Sequence, residues 1–125
     1  MGVNATSVLR YTPLILAAEN GHLGVVKFLI PVPNVDLIAT KALGYDALGG
    51  AAYEGRLNVV KFLVKISYSD VNATYADGST VLHLAAYDKH FDVFGFLMAV
   101  PLVDMNGVNA DGKTALHLLQ WWHEG

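Results

Sequence analysis

Residues 12–30, TPLILAAENGHLGVVKFLI, carry the pattern that decides the fold, because the chain repeats it. The opening triplet Thr12-Pro13-Leu14 returns at a constant step of 34 residues as Asp46-Ala47-Leu48, Thr80-Val81-Leu82 and Thr114-Ala115-Leu116. Units of this length cannot bury an apolar face alone, so they stack on their neighbours. The spacing therefore predicts a stack built from copies of one supersecondary unit.

Each unit is expected to begin with a short helix. The first residue of every triplet is threonine or aspartate, whose side-chain oxygen can cap a helix start, and Pro13 suits the first helical position because its missing N–H needs no partner there. Gly21 and Gly55 end this helix, since glycine readily adopts the left-handed conformation that follows a helix end. Lys89 occupies the same position in the third unit, where we expect the turn to be somewhat strained or reshaped.

A second helix follows in each unit, over residues 23–30, 57–64 and 91–98, with apolar residues at helical spacing. Pro31 and Pro101 prevent it from continuing. The segments that come next contain turn residues such as Asp77-Gly78 and Asp111-Gly112 between short extended runs. They predict a β-hairpin finger between successive helix pairs.

Helix, turn, helix and finger at this period resemble the ankyrin repeat. The resemblance rests on Thr12-Pro13-Leu14, Asn20-Gly21-His22-Leu23, Asp70-Val71-Asn72-Ala73 and Leu82-His83-Leu84-Ala85-Ala86. It implies an all-α solenoid with short β-hairpin fingers. We expect one ankyrin-like domain over residues 1–125, with units starting at about residues 12, 46, 80 and 114 and with an incomplete first finger and last repeat.

The second unit departs from this pattern. Gly49 stands where His83 and His117 stand in later units, and Gly50 follows it inside the expected helix. Each glycine in a helix costs about 1 kcal/mol relative to alanine. We therefore expect the second unit to be the least stable.

Composition limits the possible functions. The 125 residues include no cysteine, so neither a disulfide framework nor a thiolate metal site can form. The net charge of −3 and scattered basic residues give no basic stripe for nucleic acid. The longest apolar run, residues 93–103, is too short to cross a bilayer, and no secretory signal pattern is visible. We expect an intracellular, cytoplasmic chain with neither nucleic-acid nor membrane partners.

No residue pattern indicates catalysis. The five histidines include no HExxH frame, no nucleophile elbow or phosphate-binding loop is present, and no cofactor is expected. The resemblance implies that His83 and His117 form local hydrogen bonds that tie neighbouring units together. The sequence therefore predicts a non-enzyme without a metal site.

The remaining candidate is a surface. In the ankyrin family, partners usually contact the finger tips and the end of the first helix. In this sequence those positions hold aromatic and acidic residues, which we predict to bind a protein partner: Tyr45, Tyr53, Glu54, Tyr75, Tyr87, Asp88, Trp121 and Trp122. Tyrosine and tryptophan suit this role because they bury a large area at little entropic cost.

Two interpretations of these positions stay open. In the first, the chain is a recognition module, monomeric or part of a larger chain, that binds a protein on its concave surface. In the second, it is a structural spacer from a longer repeat array or multidomain protein, and the aromatic residues pack against neighbouring units. One of Trp121 and Trp122 would then lie under a further helix. Accessibility of the aromatic residues distinguishes the two.

Overall fold

The protein is a double row of short helices, seen in a computed structural model that describes residues 13–30, 45–66, 70–101 and 103–124, with side chains up to residue 119. The helices are α1 (Pro13–Glu19), α2 (Leu23–Leu29), α3 (Ala47–Tyr53), α4 (Leu57–Lys65), α5 (Val81–Tyr87), α6 (Phe91–Met98) and α7 (Ala115–Glu124). One row contains α1, α3, α5 and α7, and the other contains α2, α4 and α6. The predicted helical solenoid is confirmed.

The first helices start where the capping residues predict. The Oδ1 atom of Asp46 accepts a hydrogen bond from the backbone N–H of Gly49 at 2.8 Å, and this bond satisfies one of the amides that a helix start leaves open. At α5 the backbone N–H of Thr80 donates to the Nδ1 atom of His83 at 3.0 Å. Thr12 lies outside the described residues. The next three first helices begin at residues 47, 81 and 115, each directly after its capping residue.

A left-handed residue separates the two helices of each pair. Gly21 and Gly55 have φ angles of +74° and +76°, and Lys89 has +60° in the same position. A residue with a Cβ atom is strained there. The strain expected at Lys89 is therefore confirmed.

The core lies between the two rows and repeats along the stack. Leu14, Leu48 and Leu82 are at most 2% exposed, and alanine pairs such as Ala51 and Ala52 are fully buried beside them. Small side chains allow the first helices to approach one another closely. The second row contributes larger residues at one repeated position, namely Val26, Val60 and Phe94.

The fingers differ from the predicted β-hairpins. Within the described ranges the single β-bridge joins Val108 and Thr114. The third finger closes instead as a tight turn, in which the backbone N–H of Tyr75 donates to the carbonyl of Ser79 at 2.8 Å and Gly78 adopts a φ of +80°. The turn residues were recognised correctly, but the flanking segments are too short to form strands.

Candidate protein-interaction surface

Three tyrosine rings form a cluster where the fingers meet the first helices. The ring of Tyr45 lies 5.8 Å from that of Tyr53 and 5.4 Å from that of Tyr75, measured between centroids, and the second pair is edge to face. Tyr45 is only 5% exposed, whereas we expected it at the surface. Tyr53 and Tyr75 are partly buried. Tyr45 therefore supports the other two rings from inside.

The environment of Tyr45 also affects its ionisation. Burial of the hydroxyl, followed by the negative charge of Asp77 and the neighbouring Tyr53 and Tyr87, raises the pKa of Tyr45 to about 12. A buried phenol resists ionisation because the phenolate loses its hydration. The ring is thus held neutral beside an exposed carboxylate.

Tyr75 is held by Asp46, the residue that caps the start of α3. Its hydroxyl donates to the Oδ1 atom of Asp46 at 2.9 Å, and the same oxygen caps α3 through Gly49. A Cβ atom on Gly49 would lie 2.8 Å from the Cζ atom of Tyr75, which is closer than real Cβ contacts allow. Glycine at position 49 therefore makes room for the ring. The glycine that seemed a defect in the sequence permits a contact between α3 and the finger that follows α4.

Tyr87 is fixed by two hydrogen bonds. Its hydroxyl oxygen lies 2.6 Å from the Oγ atom of Ser79 and accepts a bond of 3.0 Å from the Nδ2 atom of Asn109. Asn109 belongs to the fourth finger and also accepts bonds from the backbone N–H groups of Asp111 and Lys113. The ring of Tyr87 is therefore positioned rigidly and joins two fingers.

Exposed acidic residues stand beside these rings. Glu54 and Asp88 follow Tyr53 and Tyr87 at the ends of α3 and α5, and both are exposed. The Oδ2 atom of Asp88 lies 3.4 Å from the Nε2 atom of His90, and its side chain is 69% exposed. Each of these two first helices therefore ends with a partly buried tyrosine followed by an exposed carboxylate.

The histidines tie the units together. The Nδ1 atom of His83 accepts the N–H of Thr80, so the ring proton is on Nε2, which donates to the carbonyl of Lys113 at 2.8 Å. This confirms the expected link from His83 to the next unit. At His117 the local bond is present, from the N–H of Thr114 to Nδ1 at 3.2 Å.

A second set of links between units was not predicted from the sequence. The Nε atom of Arg56 donates to the carbonyl of Glu19 at 2.8 Å, and the Nε2 atom of His90 donates to the carbonyl of Tyr53 at 2.9 Å. Both bonds join residues 37 positions apart. Arg56 and His90 occupy equivalent positions, one repeat period of 34 residues apart. Because they are different residue types, this equivalence did not lead us to expect a shared contact.

Two predicted contact residues fall outside this description. Trp121 and Trp122 lie within the backbone span of α7, and their side chains are outside the described residues.

Across the described part of the chain, no three histidine or acidic side chains come together to hold a metal ion. The helices of that part include none that is long and apolar enough to cross a membrane.

Stacked helix pairs joined by tight finger turns, with a histidine that links the start of α5 to the next finger, define a helical repeat protein. A family model described as ankyrin repeats (3 copies) matches residues 1–75 and 50–123. The chain therefore belongs to the ankyrin repeat family. Members of this family are generally protein–protein interaction modules and are typically non-catalytic. A search among curated proteins found no match.

Proposed function

We propose that this chain is a non-catalytic recognition module that binds a protein partner on the surface formed by the fingers and the ends of the first helices. The observation that supports this most is the pairing of a held tyrosine with an exposed carboxylate at the same place in two successive units. These pairs are Tyr53 with Glu54 and Tyr87 with Asp88.

Rigid positioning favours binding at this surface. A ring that is already held in place loses little rotational entropy when a partner covers it. The two hydrogen bonds of Tyr87 and the ring cluster around Tyr53 provide such positioning. Tyr75 contributes a partly exposed ring to the same cluster. Trp121 and Trp122 stay predicted members of the surface.

Charge at the surface indicates which partner contacts are favoured. Glu54, Asp77 and Asp88 are exposed on this side, where they outnumber the exposed Lys89 and Lys113. Complementary charge speeds association and selects partners. We therefore expect the partner to present basic residues next to the apolar group that covers the tyrosines.

A spacer role is the alternative, and specific contacts favour it. The hydroxyls of Tyr75 and Tyr87 are used in bonds between first helices and fingers, and Tyr45 is buried. In this alternative the tyrosines stabilise the stack and no partner covers them.

A matched pair of charge changes separates these proposals. Asp88→Lys alters the proposed surface. Asp92→Lys makes the same change of charge at an exposed position in α6, four residues away. The partner is first identified by affinity capture and mass spectrometry, and purified partner is then titrated against each variant. We expect Asp88→Lys to weaken binding about tenfold, as a rim charge does, and Asp92→Lys to leave it unchanged. Equal affinities for both variants would contradict the proposed surface.

A further inference from the structure

The contacts between successive helix pairs follow one template. In each, a side chain at the start of the second helix donates to the carbonyl of the last residue in the preceding first helix. Arg56 reaches Glu19 at 2.8 Å, and His90 reaches Tyr53 at 2.9 Å. The carbonyls at a helix end have no partner inside the helix, so these bonds satisfy groups that would otherwise need water.

In the second row of helices, each contact also pairs a lysine with a phenylalanine ring. The Nζ atom of Lys27 lies 5.4 Å from the ring centroid of Phe62, and that of Lys61 lies 5.9 Å from that of Phe96. Both distances are within cation–π range. Each pair joins a lysine to the phenylalanine that follows it by 35 residues, so one helix packs on the next in the same register.

At another repeated position, a valine of the second helix is completely buried wherever a preceding second helix packs against it. Val59 in α4 and Val93 in α6 are both 0% exposed. Both helices have a helix in front of them in the second row, α2 and α4 respectively.

The first helix pair carries the same groups without their partners. Phe28 is 73% exposed and Val25 is 48% exposed, although they occupy the positions of Phe62 and Val59. Leu16 is 46% exposed, whereas Leu84, two units along, is fully buried. His22 holds the position of Arg56 and His90, and its side chain forms no hydrogen bond that caps α2.

We propose that this end of the stack, formed by Leu16, His22, Val25 and Phe28, is a docking surface for one more ankyrin-like helix pair on the same polypeptide. The first helix of that pair offers its last carbonyl to His22. Its second helix places a lysine or arginine over Phe28, as Lys27 lies over Phe62. This inference does not rest on the proposed partner surface, because it concerns the contact between successive units and not the contact with another protein.

The structure argues against a second copy of this chain as the occupant. At the far end, Gly95 stands where Lys27 and Lys61 stand, and it leaves open space.

The size of the surface leads to the same conclusion. The exposed parts of Leu16, Val25 and Phe28 offer an accessible area on the order of 300 Å². A stable complex of separate proteins buries about 800 Å² on each partner. A covalently joined unit does not need that area, because the connection keeps its local concentration high.

The test is a chain lengthened by one unit. Residues 1–44 followed by residues 11–125 duplicate the first unit in register, so the duplicated Lys27 precedes the original Phe28 by 35 residues. Thermal unfolding is followed by circular dichroism for this chain and for the 125-residue chain, each with and without Phe28→Ala. Phe62→Ala, a change to the same side chain already covered in both, serves as the matched control.

The proposal expects Phe28→Ala to lower the melting temperature of the lengthened chain by about 4 °C or more and that of the 125-residue chain by less than about 2 °C. Phe62→Ala should lower both. An equally small effect of Phe28→Ala in the two chains, or a separate transition for the added unit, would overturn the proposal. So would a dimer of the 125-residue chain in sedimentation equilibrium that Phe28→Glu dissociates, because the occupant would then be a second copy.

Discussion

Replacing Gly49 by alanine should destabilise the protein, although the same replacement elsewhere in a helix stabilises it. Alanine is favoured over glycine inside a helix by about 1 kcal/mol. At position 49, however, the added Cβ atom would lie 2.8 Å from the Cζ atom and 3.0 Å from the hydroxyl of Tyr75. The ring must move, although its hydroxyl is bound to the Asp46 carboxylate.

The opposing terms decide the sign. Overpacking a buried site costs about 1–3 kcal/mol, and a hydrogen bond to a charged group contributes about 1.5–3 kcal/mol. Even with partial relaxation, these exceed the helical gain of about 1 kcal/mol. We expect Gly49→Ala to lower the free energy of unfolding by about 1–3 kcal/mol.

Urea unfolding measures this, and Gly95→Ala is the matched control. Gly95 lies inside α6, is exposed, and a Cβ atom there would meet nothing within 4 Å, so the change should stabilise by up to about 1 kcal/mol. In a Tyr75→Phe background, which lacks the hydroxyl, Gly49→Ala should cost less. The reasoning is wrong if Gly49→Ala stabilises like Gly95→Ala, or if its cost is the same with and without the hydroxyl.

Two further predictions concern His83 and Tyr45. His83→Ala should lower the free energy of unfolding in urea by about 2–4 kcal/mol, because His83 is buried and joins Thr80 to Lys113. His117 is exposed, so His117→Ala should lower it by less than about 1 kcal/mol. Equal costs for the two changes would contradict this. Between pH 10 and 12 the unfolded state loses the Tyr45 proton while the folded state keeps it, so stability should fall by up to about 2 kcal/mol as pH rises, and Tyr45→Phe should show a smaller fall.

The repeat spacing was sufficient to predict the helices. The capping residue Asp46, the left-handed position of Lys89 and the linking role of His83 were all expected, and the structure shows each of them. These features are local or recur at one fixed step, so a single sequence reveals them.

The contacts between fingers and first helices were harder to predict. The bond from Tyr75 to Asp46 depends on Gly49, which lies three residues from Asp46 but is distant from Tyr75 along the chain. The expected cost of that glycine in helix propensity was visible in the sequence, but the room it leaves for a ring was not. In a similar way, Tyr45 was read as a surface residue because its position is usually exposed, whereas two neighbouring tyrosines bury it here.

These contacts also determine how the proposed surface should be tested. Tyr87 joins Ser79 to Asn109, so Tyr87→Ala would loosen two fingers and reduce binding for structural reasons alone. Tyr87→Phe removes both bonds and keeps the ring, and Asp88→Lys changes the charge without touching either bond. If partner binding depends on the surface itself, Asp88→Lys should lower affinity more than stability, and Tyr87→Phe should lower stability more than affinity. If the surface serves only the stack, Tyr87→Phe should lower stability and neither change should alter the binding of any partner.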